Sequence, residues 1–118
     1  MARSIYYHFT TKEIAEEIEW YGVLINNGQG IYVCKDIKDV LKFIKYRVPK
    51  VKLDSNGNIV EVIKIELEDL IIIEFLADDS VFEESFDHAS EIMGGAKAWV
   101  SCNEEVEVEI LKFYEVKN

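Results

Sequence analysis

Basic residues, cysteine, proline and histidine are all scarce in this chain. Thirteen Lys/Arg stand against twenty-three Asp/Glu, for a net charge of −10. That balance argues against tight binding to a nucleic-acid duplex, since neutralised phosphates supply most of such affinity. It leaves open a basic protein partner, or nucleic acid held only on a local patch. The two cysteines, Cys34 and Cys102, both fall in predicted strands and form no Cys-x-x-Cys pair. They are expected as buried, reduced thiols of a cytoplasmic protein. No apolar run approaches the roughly 20 residues of a membrane-spanning helix. The longest, Leu70-Ile71-Ile72-Ile73, is strand-sized, and the opening residues lack the apolar stretch of a signal peptide. No P-loop, Gly-x-Gly-x-x-Gly, His-Glu-x-x-His or Gly-x-Ser-x-Gly motif occurs, which sets aside the nucleotidases, zincins and hydrolases that carry them. His8 and His88, the latter beside Asp87, would make a metal site only by meeting in space, and no metal is assigned.

What is present describes one globular domain over 1–118. At 49% hydrophobic and 31% charged, the chain is apolar enough to bury a core. Its charge is unevenly placed. Residues 1–64 hold ten Lys/Arg and eight Asp/Glu, whereas 65–118 hold three and fifteen. Residues 66–91 alone carry ten Asp/Glu and no Lys/Arg, a single-sign stretch suited to steering a basic partner.

The hydrophobic pattern predicts a strand over 4–9 and a helix over 11–21. Thr10 is placed to cap that helix, with Glu13 reaching back to it. Ile14, Ile18 and Tyr21 recur at helical spacing and mark its packing face, and Gly22 stops it. Residues 23–25 form a short apolar run. The cluster over 26–30 reads as a tight hairpin turn ahead of a mobile loop over a ligand. A strand over 31–34 follows, then a helix over 37–46 capped by Asp36, with Ile37, Val40, Leu41 and Ile44 as its apolar set and Lys38, Lys42 and Lys45 opposite. Such rows are usually solvated faces, though with Arg47, Lys50 and Lys52 this one could meet phosphate. Pro49 ends the helical pattern.

Asn56-Gly57 predicts a type I′ turn between two strands. The second of these, over 59–67, is apolar on both faces and so expected to be central. A strand over 71–75 comes next. Residues 78–93 read as a loop with a helical turn, because Phe82, Phe86 and Ala89 lie three or four apart. Strands over 96–102, carrying Trp99, and over 106–110, strictly alternating, complete the series. The class is α+β: a mainly antiparallel, bent or split sheet of about seven strands, with two helices near the N-terminus.

His8 near a strand end and beside a helix start, where free N–H groups favour an anion, and Tyr32 after Gly30-Ile31 are the residues best placed for chemistry. On residue type alone, each is more often structural. The series Tyr7-His8-Phe9-Thr10-Thr11-Lys12-Glu13, a helix, Gly22-Val23-Leu24, then Gly30-Ile31-Tyr32-Val33-Cys34 and a second helix resembles the opening half of ADP-ribosyltransferase-like domains. The pattern is similar to the DNA-modifying toxins and the RNA 2′-phosphotransferases, over 4–46 well and 81–116 loosely. Phe86-Asp87-His88 with Gly95-Ala96-Lys97-Ala98-Trp99-Val100 also resembles small bacterial and phage proteins of this shape.

The resemblance implies an NAD-type dinucleotide as ligand. His8 would hold its ribose, Tyr32 would stack on nicotinamide, and Thr10 with the helix N-terminus would meet a phosphate. The family's late-strand glutamate has no counterpart, since Ala98 falls at its position. Glu104, Glu105 and Glu107 are the nearby substitutes, and without one much transition-state stabilisation is absent. The competing expectation is a non-enzymatic acidic protein, phage-encoded in one version, that occupies a basic surface of a partner.

Overall fold

The chain's longest apolar run becomes its central strand. The computed structural model describes residues 2–28, 30–46, 50–63, 69–85 and 95–116. In order, these form β1 (Arg3–Thr11), α1 (Lys12–Tyr21), β2 (Val23–Ile25), β3 (Ile31–Val33), α2 (Ile37–Tyr46), β4 (Lys50–Leu53), β5 (Ile59–Ile63) and β6 (Leu70–Asp78). A single 3-10 turn (Asp79–Val81) then leads to β7 (Glu83–Ser85), β8 (Ala98–Ser101), β9 (Glu105–Glu107) and β10 (Glu109–Glu115). Every ladder is antiparallel, so the class is α+β and mainly sheet.

β6 lies between β1 and β10 and is covered on both faces, which is why its sequence is nearly continuous Leu and Ile rather than alternating. Ile71, Ile73, Phe75 and Ala77 point to one side, where they join Tyr6, Ala15 and Ile18 beneath α1. Leu70 and Ile72 point to the other, where they join Val40 and Ile44 beneath α2. The one charge in mid-strand, Glu74, accepts hydroxyl hydrogen bonds from Tyr7 (2.8 Å) and Tyr114 (3.2 Å) on the flanking strands. These bonds supply the partners that a half-buried carboxylate needs.

Several local expectations change. Thr11, not Thr10, is the N-cap of α1: its backbone is extended and its Oγ1 accepts the Ile14 N–H at 3.4 Å. Glu13 is thereby moved out of capping-box register. At the other end, Gly22 has φ 70° and donates its N–H to Ile18 O, the left-handed stop that glycine permits. Residues 26–30 are not a hairpin turn, because the strands they join belong to different sheets: β2 pairs with β9, and β3 with β8. Instead, Asn26 Oδ1 accepts the N–H groups of Gly28 (2.8 Å) and Gly30 (2.9 Å) and so holds the loop.

On α2, Asp36 Oδ1 accepts the Lys38 N–H, as a cap does. Leu41, however, is 47% exposed, and Phe43 packs toward the core in its place. Of the strand expected over 59–67, residues 64–67 lie outside the described residues and β5 is not central: among the described residues β4 and β5 pair only with each other, and Leu53, Ile59 and Val60 are exposed. Their connection is not type I′ either, since among the described residues no non-glycine has positive φ. The Asp54 carboxylate accepts the N–H groups of Asn56 and Asn58 at 2.9 Å each and closes a longer loop.

The strand expected over 106–110 is divided. Val106 packs in the α1-side core on β9, but Val108 donates its N–H to Gly22 O, and β10 begins a new ladder on β6. The helical turn expected from Phe82, Phe86 and Ala89 is not seen at its start, where Phe82 is extended and Glu83–Ser85 is strand; a 3-10 turn capped by the Asp78 side chain precedes it. Phe86, Asp87, His88 and Ala89 lie outside the described residues. Cys34 is buried, but Cys102 is exposed, and both are free thiols. No helix among the described residues is long and apolar enough to cross a membrane.

Candidate functional site

Among the described residues the β1–β6–β10 sheet and the β3–β8–β7 sheet are joined by one bridge, where Tyr7 and Cys34 exchange backbone hydrogen bonds of 2.8 and 2.9 Å. Continuing that antiparallel ladder would next pair Phe9 with Tyr32. It does not continue. The Tyr32 carbonyl instead accepts a hydrogen bond from His8 Nδ1 at 2.8 Å. The imidazole stands where the next rung would be, and the two strands part beyond it.

A carbonyl oxygen only accepts, so Nδ1 carries the proton and Nε2 is left as the ring's acceptor. His8 is half-buried, and burial lowers its pKa from the usual histidine value, with the Tyr32 carbonyl opposing that shift. His8 is therefore neutral at neutral pH, with a fixed tautomer.

Where the strands part, a cavity of about 360 Å³ opens between β1, α1 and β2. His8 and Thr10 line it from β1, and Asn27, Gly30 and Ile31 from the loop and β3. Its far wall is one stripe of α1: Ile14, Glu17, Ile18 and Tyr21, the i, i+3, i+4, i+7 positions that share a helix face. Ile18 is buried, but Ile14 is 48% and Tyr21 69% exposed, because they face this opening rather than packed core.

Gly30 has φ 92°, and a Cβ there would come within 2.8 Å of Val100 Cγ2 and 3.6 Å of the Tyr32 ring. Glycine is required by both conformation and space.

Of the residues singled out in the sequence, His8 and Thr10 meet at the cavity. Tyr32 is bonded to His8 through its backbone. Its ring, 42% exposed, lies close to Gly30 and does not line the cavity wall. Ala98 is buried on β8, directly opposite Ser85. Glu105 and Glu107 pair with β2, but they and Glu104 are exposed and outside the lining. The carboxylate that does line the cavity is Glu17, which the sequence reading passed over. The signal was an acid inside the apolar stripe Ile14, Ile18, Tyr21.

Other polar clusters hold the fold. The Asp79 carboxylate accepts from Ser4 (2.9 Å) and Tyr6 (2.7 Å), and the Tyr6 bond, then that from Ser4, keeps its pKa low. Lys35 sits over the Trp99 ring at 4.8 Å. Burial, with Asp39 and Asp36 nearby, pushes the Cys34 thiol up to about 12, so it is no nucleophile. Among the described residues no cluster of His, Cys, Asp and Glu is arranged to hold a metal ion. Compared with known protein families, curated proteins and solved structures, the chain matches none.

Proposed function

We propose that this is an ADP-ribosyltransferase-like domain that binds an NAD-type dinucleotide, with its nicotinamide riboside half in the His8 cavity. The observation that supports this most is the 2.8 Å bond from His8 Nδ1 to the Tyr32 carbonyl, which fixes Nε2 as an acceptor for a ribose hydroxyl. About 360 Å³ is near the lower end of the roughly 300–1,000 Å³ of small-molecule sites, so one half of a dinucleotide is accommodated. The Tyr32 ring, close to Gly30 of the lining, would stack on an entering ring. Thr10, beside the start of α1, marks the exit for the pyrophosphate. The reading is of binding, because Ala98 replaces the carboxylate that the resemblance calls for.

Calorimetric titration of NAD against the parent, His8→Ala, Tyr32→Ala and Tyr32→Phe, with melting curves beside it, tests this. His8→Ala and Tyr32→Ala should each weaken binding by about 1 kcal/mol, Tyr32→Phe by less, with little change in melting for the Tyr32 variants and a modest fall for His8→Ala, which leaves the Tyr32 carbonyl without its partner. No heat with the parent overturns the reading.

A further inference from the structure

We infer that Glu17 makes the cavity selective for a cationic, hydrogen-donating ligand: the oxidised nicotinamide ring with its ribose, in preference to the neutral reduced ring or a phosphate. The ligand's identity rests on the dinucleotide reading; the charge preference rests on the lining alone. That lining contains the Glu17 carboxylate, which only accepts, His8, whose Nδ1 is already bonded to the Tyr32 carbonyl, and Thr10, Tyr21 and Asn27, which can donate or accept, and among the described residues no lysine or arginine. An anion entering here would meet no positive charge, whereas a cation with hydroxyls would satisfy the carboxylate.

The placement of Glu17 is itself informative. Ile14 and Ile18 flank it on the cavity face, so the carboxylate stands beside apolar side chains at the opening while solvent still reaches it. Glu13, Glu16 and Glu19 already supply α1 with exposed acid, so solubility does not require a carboxylate in the apolar stripe. A ligand cation provides it with a partner.

The test is calorimetric titration of nicotinamide riboside in its oxidised and reduced forms, NAD+, and ADP-ribose, against the parent and Glu17→Gln. In the parent the oxidised riboside should bind about three- to fivefold more tightly than the reduced, the scale of one solvent-exposed charge pair. In Glu17→Gln that ratio should fall to within about twofold, with the reduced form and ADP-ribose little affected. Melting curves should coincide, since position 17 is exposed.

Equal binding of the two redox forms by the parent, or an undiminished preference in Glu17→Gln, overturns the inference. If NAD+ binds without that preference, only this inference fails. If NAD+ does not bind but the oxidised riboside does, with a preference that depends on Glu17, the dinucleotide reading fails and this one stands. If none of the ligands binds, both are overturned.

Discussion

α1 and α2 are both ten residues long, both follow an extended segment, and they cover opposite faces of the same three strands. On the α2 side, Val40 and Ile44 are buried, Ile37 and Phe43 pack around them, and the face closes over Leu70, Ile72 and Val116. α1 likewise buries Ala15 and Ile18, but Ile14 and Tyr21 of its apolar stripe face a cavity. The difference has a local origin. On the α2 face, Tyr7 keeps β1 bridged to β3 through Cys34, whereas one residue later His8 takes the Tyr32 carbonyl for itself and ends the pairing. The sheet is continuous where it supports α2 and open where it supports α1. Both helices therefore stabilise the fold, but only α1 also lends part of its apolar stripe to the wall of a cavity.

Truncation should separate the two sides most strongly. Ile44→Ala and Ile18→Ala remove buried methyl groups and should each cost about 2–5 kcal/mol in urea unfolding. Ile14→Ala, in the same stripe as Ile18 but facing the cavity, should cost less than ~1 kcal/mol. A loss at Ile14 equal to that at Ile44 would mean the α1 side is as closed as the other.

Gly30 is the next most sensitive position. A Cβ there is strained by its φ of 92° and collides with Val100, so Gly30→Ala should destabilise by about 1–3 kcal/mol. Gly28→Ala, with positive φ but open space around it, should cost less. Equal losses would show that the close approach to Val100 contributes nothing.

A smaller effect should follow pH. The folded state holds His8 with a lowered pKa, so its neutral form is favoured by folding. That contribution is present above the unfolded value of about 6.5. It is lost as pH falls below 6.5 toward the folded value, because the unfolded chain takes up the proton first. Between pH 7.5 and 5, the parent should lose more stability than His8→Gln in matched urea titrations. Parallel slopes would contradict a buried, neutral imidazole.

The least perturbing probe is thiol labelling at pH 8. One thiol, Cys102, should react at once, and Cys34 only on unfolding, because it is buried and its pKa is raised. Two fast thiols would mean that the α2 side opens.

The α2 side was the more legible of the two from sequence. Asp36 caps where Asp caps, and Val40 and Ile44 recur as a packed face does, because local rules and burial agree there. The α+β class and most strands were likewise readable from alternation and turn residues. The strand that becomes β5 was misjudged as central, since apolar residues on both faces of a strand do not say whether anything covers them. The cap of α1 shifted by one residue because β1 runs on to Thr11. At the site, His8 stood out by residue type, but its hydrogen bond to a carbonyl distant in sequence did not. Nor did Glu17, because a stripe scored for apolar residues ignores the acid within it.

The central claim is that ligand binds on the α1 side, against His8. It is tested most directly by following backbone amide and His8 imidazole NMR signals while NAD+ is added. The account predicts shifts at His8, Thr10, the 14–21 stripe and the 23–31 segment, with His8 remaining the Nδ1–H tautomer and α2 unmoved. Shifts centred on α2 or the β4–β5 hairpin, or none at saturating NAD+, would contradict it.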